Sequence, residues 1–173
     1  MKHWALVIVD VQNGVYSAEA YPADTMLLAI HNIADAFRRH GAPVVYVQHQ
    51  DEELAAGSEG WQMVPDIAPL PGEHIVHKAH NSAFRGTDLQ GYLMDKGVTG
   101  IVLTGMVTQY CINATCVAAL EHGFEVVIPD GANAAYGFEN LSARAVHRLF
   151  NRDIWGGMAR VASVDEAIGL PGA

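Results

Sequence analysis

The chain predicts an α/β fold: a doubly wound, mostly parallel sheet of about six strands with helices on both faces. Three observations lead there. Apolar runs recur without the alternation of a half-exposed strand, as strands covered on both faces require. Stretches of helical periodicity separate them, which is the order of a parallel sheet built from crossover units. The runs also end in chemically useful residues, at the points where such sheets bind ligands.

Trp4 to Val9 is the first such run and stops at Asp10, with Val11-Gln12-Asn13-Gly14 as the loop beyond it. Asp24 to Arg39 carries apolar residues at Met26, Leu27, Ile30, Ile33, Ala34 and Phe37, a helical stripe closed by Gly41. Pro43 to Val47 is the second strand and leads into Gln48-His49-Gln50-Asp51. Residues 51–72 are rich in Glu, Gly and Pro, with Trp61 and Met63 isolated among them. A connection of that length is expected to be a lid or a binding loop. Glu73 to Lys78 is a third strand, and Thr87-Asp-Leu-Gln90 reads as a capping box opening a short helix. Val98 to Thr104 is the fourth strand, Gln109 to His122 the next helix, and Phe124 to Ile128 the fifth strand. A loop with Asn133 and Tyr136 precedes a helix expected over Glu139 to Phe150. Ala159 to Ala162 is the last strand, and Ser163-Val-Asp-Glu166 is a second capping box.

Composition narrows the function. A length of 173 residues suits one domain, residues 1–173, with a substantial core. A net charge of −9 argues against a nucleic-acid partner, which needs a basic surface. No apolar run is long enough to span a bilayer, and the N-terminus runs straight into a core strand rather than a cleavable leader. Cys111 and Cys116 lie five apart on one expected helix and point to different faces, so no disulfide is expected. These features imply a cytoplasmic setting and a small-molecule partner, with neither membrane nor nucleic acid.

Asp10, Lys78 and Cys111 fall at or just past the ends of the first, third and fourth strands. Taken singly, each has an ordinary explanation: a turn cap, a solvated strand end, an inert core thiol. Together they make a nucleophilic site. Cys111 sits at a helix N-terminus, where the dipole and unpaired N–H groups are expected to lower a thiol pKa and to hold an oxyanion. Fast alkylation at mildly acidic pH would mark such a thiol. A carboxylate can take the thiol proton, and an ammonium can keep that carboxylate ionised. Gln12, Phe84, Tyr110 and Tyr136 stand in loops or turns at the same face and are candidate pocket residues. A dinucleotide-binding reading fails because the first turn has a single Gly, Gly14, where three are needed.

Three segments carry a family resemblance: Ala5-Leu-Val-Ile-Val-Asp10-Val-Gln12, Lys78-Ala-His-Asn-Ser82-Ala-Phe84, and Gly105-Met-Val-Thr108-Gln-Tyr-Cys111-Ile-Asn-Ala-Thr115. They resemble the isochorismatase-like cysteine hydrolases, which include nicotinamidases and N-carbamoylsarcosine amidohydrolases, and the likeness runs over nearly the whole chain. The resemblance implies a catalytic triad of Asp10, Lys78 and Cys111. It implies a cis peptide between Val107 and Thr108, and an oxyanion hole from the backbone of Thr108 and Cys111. It further implies a homo-oligomer, dimer or tetramer, in which a neighbouring subunit or the 51–72 loop can complete the site. The implied reaction is hydrolysis of a C–N bond in a small amide, ureide or imide-like substrate through a Cys111 thioester, with no cofactor. The alternatives are an isochorismate-type vinyl-ether hydrolase, which needs no thiol, and a non-catalytic binding protein of the same fold. The nicotinamidase metal site, Asp-x-His plus a later His, is not matched: here the order is His49-Gln-Asp51, and His74, His77 and His80 crowd around Lys78. Whether any of these binds a metal stays open at this point, and no metal is assigned.

Overall fold

A computed structural model describes residues 2–138 and 140–173. Seven strands form one sheet: β1 (Trp4–Val9), β2 (Val44–His49), β3 (His74–Lys78), β4 (Gly100–Met106), β5 (Glu125–Pro129), β6 (Asn133–Ala134) and β7 (Arg160–Ala162). The order is β3-β2-β1-β4-β5-β7, and every pairing is parallel. Five helices accompany it: α1 (Ala23–Arg39), α2 (Leu89–Asp95), α3 (Asn113–Glu121), α4 (Ala143–Arg148) and α5 (Val164–Gly169). Among the described residues, no helix is long and apolar enough to cross a membrane.

The doubly wound expectation holds because β1 is buried on both faces. Leu6 and Ile8 enter one core with Met26, Ile30, Ile33 and Phe37 of α1. Ala5, Val7 and Val9 enter the other with Leu89 and Leu93 of α2, Cys116 of α3 and Trp155. Trp155 has no exposed surface and donates its indole N–H to Asn113 Oδ1 at 3.1 Å. Burying side chains on both faces of a strand removes any reason for alternation, which is why these strands read as unbroken apolar runs.

Local signals fared differently. Ser163 and Glu166 form the reciprocal capping box at the start of α5. Thr87 lies one residue before the cap of α2: its hydroxyl donates to Ala83 O at 2.6 Å and accepts the Leu89 N–H at 3.4 Å, while Asp88 takes the cap position without a side-chain bond. Thr115 accepts the Ala83 N–H at 3.0 Å and so ties the segment after β3 to α3. The helix expected from Glu139 begins at Ala143 behind a Ser142 cap, and Glu139 itself lies outside the described residues. Past Arg148 it widens into a π-helical segment, Leu149–Ile154. The loop after β5 contains a strand the sequence hides, the two-residue β6, which pairs with the upper end of β4 while β5 pairs with the lower.

The 51–72 connection is a strap rather than a free lid. Its backbone is laced to the β1–α1 loop through Asn13 N to Gln62 O, Gly14 N to Gly60 O and Val64 N to Val11 O. One residue fixes how closely the central strands run. Gly105 pairs with Val9 and has φ +112°, and a Cβ there would overlap the Val9 backbone. Gly105→Ala combines backbone strain with a main-chain clash beside Asp10. It is expected to cost about 3 kcal/mol or more in urea unfolding. Stability within 1 kcal/mol of wild type would show that the strands can separate there.

Candidate active site

The carboxyl ends of β1, β2, β3 and β4 bring together Asp10, His49, Lys78 and the turn that carries Cys111. Asp10 follows the last residue of β1 and is the one described non-glycine residue with positive φ, at 52°. This left-handed kink turns the chain out of the strand just where its carboxylate enters the site. Lys78 ends β3, in register with His49 on β2. Met106 ends β4, and a π-helical turn, Thr108–Ile112, leads into α3.

Lys78 is the hub. Its side chain is fully buried, and Nζ lies 2.6 Å from Asp10 Oδ2, 3.0 Å from His80 O, 3.1 Å from His49 Nδ1 and 3.3 Å from Cys111 Sγ. An ammonium has three protons and accepts nothing, so these four neighbours compete for three hydrogen bonds. Because Nζ can only donate, His49 Nδ1 is an acceptor and His49 Nε2 carries its proton toward Asp51 Oδ2 at 3.0 Å. Asp51 in turn receives the Glu53 and Leu54 amides on Oδ1. These bonds hold its carboxyl below the usual range, the Leu54 amide contributing most. The structure thus adds His49 to the site, a residue the sequence marked only as a question about metals. His74 pairs with Asp88 at 3.1 Å and stacks on Tyr92, while His77 stacks on Trp61.

Asp10 is buried, and its pKa is raised by that burial, with the Lys78 charge pulling the other way. Its second oxygen, Oδ1, is buried without a hydrogen-bond partner among the described residues. The Cys111 thiol is pushed up to about 12, first by burial and next by the negative charge of Asp10, against the opposing Lys78 ammonium. This reverses the expectation of a depressed thiol pKa. The end of a short helix offers roughly 0.3–1 kcal/mol to an anion, and desolvation beside a carboxylate outweighs it. At neutral pH the Cys111 thiol therefore rests protonated, beside the close Asp10–Lys78 pair. Cys111 Sγ also lies 4.0 Å from Asn81 Oδ1.

Several sequence expectations need correction. The cis peptide joins Met106 and Val107, one bond earlier than the expected Val107–Thr108, at the point where β4 ends. Gln12 is no pocket residue: it has no exposed surface, and its amide donates to His49 O and Trp61 O while accepting from His49 N. It pins the 51–72 strap to the ends of β1 and β2. Phe84 belongs to the core, 5.1 Å from the His122 ring and stacked on Phe124. Tyr136 spends its hydroxyl on Val15 O and Ser17 Oγ, and its backbone carbonyl accepts from Gln109. Of the four, only Tyr110 stands exposed, on the turn beside Cys111. Thr108 is buried and donates through Oγ1 to Asn133 Oδ1 at 2.7 Å, so β6 anchors the turn that carries Cys111.

With this geometry in view, comparison with known proteins is direct. The chain belongs to the isochorismatase family, whose Isochorismatase domain matches residues 4–165. It is similar to a streptothricin hydrolase of Streptomyces noursei, 36% identical over 137 residues that cover 76% of this chain and 54% of that protein. The chain thus spans about half the length of that relative. An uncharacterized isochorismatase family protein of Bacillus subtilis is 32% identical over 93% of this chain and 96% of its own. A ureidoacrylate amidohydrolase of Methylobacterium radiotolerans is 32% identical over 68% of this chain and 45% of its own. Among solved structures, a candidate isochorismatase from Burkholderia xenovorans superposes with a TM-score of 0.91 at 33% identity, covering 99% of this chain and 88% of that one. The fold and the family follow from these matches.

The charge logic gives a counter-intuitive test. Asp10→Asn removes the negative charge that adds to burial in lifting the thiol pKa, and leaves the Lys78 ammonium to lower it. Iodoacetamide labelling of Cys111 at neutral pH is expected to speed up several-fold in this variant, with circular dichroism confirming the fold. Slower or unchanged labelling would show that Asp10 does not hold the proton on sulfur.

Proposed function

We propose that the chain is a cysteine amidohydrolase that cleaves a C–N bond of a small amide, ureide or imide-like substrate. The observation that carries this reading is the buried Lys78 ammonium, 2.6 Å from Asp10 and 3.3 Å from Cys111, with Asp10 Oδ1 buried and without a hydrogen-bond partner among the described residues. A vinyl-ether hydrolase needs the acid alone, and a binding module needs neither a thiol nor a base beside it. The names of two relatives, a streptothricin hydrolase and a ureidoacrylate amidohydrolase, support hydrolytic chemistry and, for the second, an amide-type bond.

In this mechanism the Cys111 thiol gives its proton to Asp10 as sulfur attacks the carbonyl carbon. Transfer coupled to attack suits a thiol whose pKa lies far above neutral. Negative charge builds on the carbonyl oxygen, and backbone N–H groups of the Thr108–Ile112 turn, with those of Thr108 and Cys111 the candidates, receive it. The C–N bond breaks as Asp10 returns the proton to nitrogen, leaving a Cys111 thioester and a free amine or ammonia. Water then attacks the thioester, its proton passing to Asp10, and the C–S bond breaks as sulfur takes that proton back. Lys78 holds Asp10 ionised at the start of each half-reaction and fixes its orientation. His49 and Asp51 keep the Lys78 ammonium aimed.

Ammonia or amine release from nicotinamide, ureides, maleamate and N-carbamoyl compounds should identify a substrate group. Cys111→Ala is expected to lower that release by on the order of 10³-fold or more while leaving the fold intact. Retained activity in Cys111→Ala would refute the nucleophilic role outright.

A further inference from the structure

A second cavity, of about 170 Å³, opens beside α4 and away from the triad. Arg144, Arg148 and Arg152 line it with His147, Asp130 and Tyr21. The three arginines are four residues apart, so α4 and the π-helical segment after it bring them onto nearly one face. They are three of only ten basic residues in a chain with a net charge of −9. Among the described residues, none of the three forms a salt bridge. Like charges at this spacing repel, so the cluster is held together against its own field. The floor adds an independent sign. His147 is 5% exposed, and its Nε2 is buried without a hydrogen-bond partner among the described residues, 3.9 Å from Asp130 Oδ1. Tyr21 meets the His147 ring edge-on at 5.4 Å and lies under the Arg144 guanidinium at 5.7 Å.

We propose that this cavity binds a phosphate-type oxyanion. Guanidinium forks match the oxygens of phosphate two at a time, and three of them around one space fit a compact group of more than one negative charge. The buried His147 nitrogen supplies a further contact at the floor. Asp130, half-exposed and opposite, leaves the lining net positive and favours an anion that retains one proton to share with it. The site is also joined to the triad. Asn151 lines the cavity, exchanges hydrogen bonds with Asn133 at 3.0 and 3.2 Å, and Asn133 holds the hydroxyl of Thr108. An anion drawn onto Arg148 and Arg152 would therefore pull on the segment that braces the catalytic turn. The binding proposal does not depend on the amide reaction.

The test is titration of the intact protein with sodium phosphate, against sodium chloride at matched ionic strength, read by calorimetry and by thermal midpoint. A saturable heat and a rising midpoint specific to phosphate are expected. Arg148→Gln should weaken binding at least tenfold, while Arg39→Gln, an exposed arginine at the end of α1, should bind as wild type does. Phenyl phosphate separates the sources: equal affinity means that the free anion is the ligand, and tighter binding means that an esterified phosphate is. A response identical to that of chloride, or undiminished binding in Arg148→Gln, would overturn the proposal.

Discussion

Everything at the carboxyl end of this sheet depends on one buried ion pair, Lys78 with Asp10. Two charges have been taken out of water, at a cost of several kcal/mol each, and their mutual attraction repays it only with good geometry and further hydrogen bonds. The fold supplies both. Lys78 stands on β3 and Asp10 on β1, with β2 between them, so the lysine must reach across a strand. His49, at the end of that intervening strand, fills the gap and accepts from the ammonium, while His80 lends a carbonyl from the other side. Gln12 clamps the His49 backbone at both its N–H and its carbonyl. The strap over residues 51–72 is held by the same amide and by Gln48, both of which donate to Trp61 O. A residue that looks like a ligand contact in the sequence is thus a girder for the ion pair.

The pair also decides the state of the thiol. Separately, a helix start and a lysine would each pull Cys111 toward thiolate. Burial and the Asp10 carboxylate pull harder in the opposite direction, and the proton stays on sulfur. In the proposed reaction, such a thiol becomes a thiolate only as it attacks a carbonyl, rather than standing permanently reactive. Asp10 Oδ1, buried with no hydrogen-bond partner among the described residues, is the acceptor the proposed mechanism uses for that proton. A buried acceptor left empty costs stability, and it is tolerated where the chemistry uses it.

The sequence revealed strand ends well and side-chain destinations poorly, for physical reasons. A strand buried on both faces must be apolar throughout, so Asp10 and Lys78 stand out as the points where the run breaks, and the Gly105 turn marks Cys111. Whether a loop side chain faces a ligand or the core depends on which other loop lands on it. Gln12 met Trp61, Phe84 met Phe124 and Tyr136 met Val15, partners up to 121 residues away. The Thr87 capping box did not form although the Ser163 box did, because α2 opens one residue later with Asp88 at the cap, which leaves Thr87 outside the helix, where its Oγ1 accepts the Leu89 N–H. β6 was invisible because two residues carry no periodicity.

That short strand shows how the second half of the chain serves the first. β5 leaves β4 after pairing with its lower half, which frees the upper edge beside the catalytic turn. β6 takes that edge and delivers Asn133, a fully buried amide. Asn133 receives the Thr108 hydroxyl and an Asn151 N–H on its oxygen, and donates to Asn151 and Pro129 O. A buried polar group with its partners in place is stiff, because every alternative geometry leaves a donor or acceptor unpaired in a dry interior. The turn that positions Cys111 is therefore rigid from the side facing α4, just as Lys78 makes it rigid from the side facing β3. Cys111 thus sits between the Asn133 network and the Lys78 network, on a turn whose Tyr110 side chain is exposed.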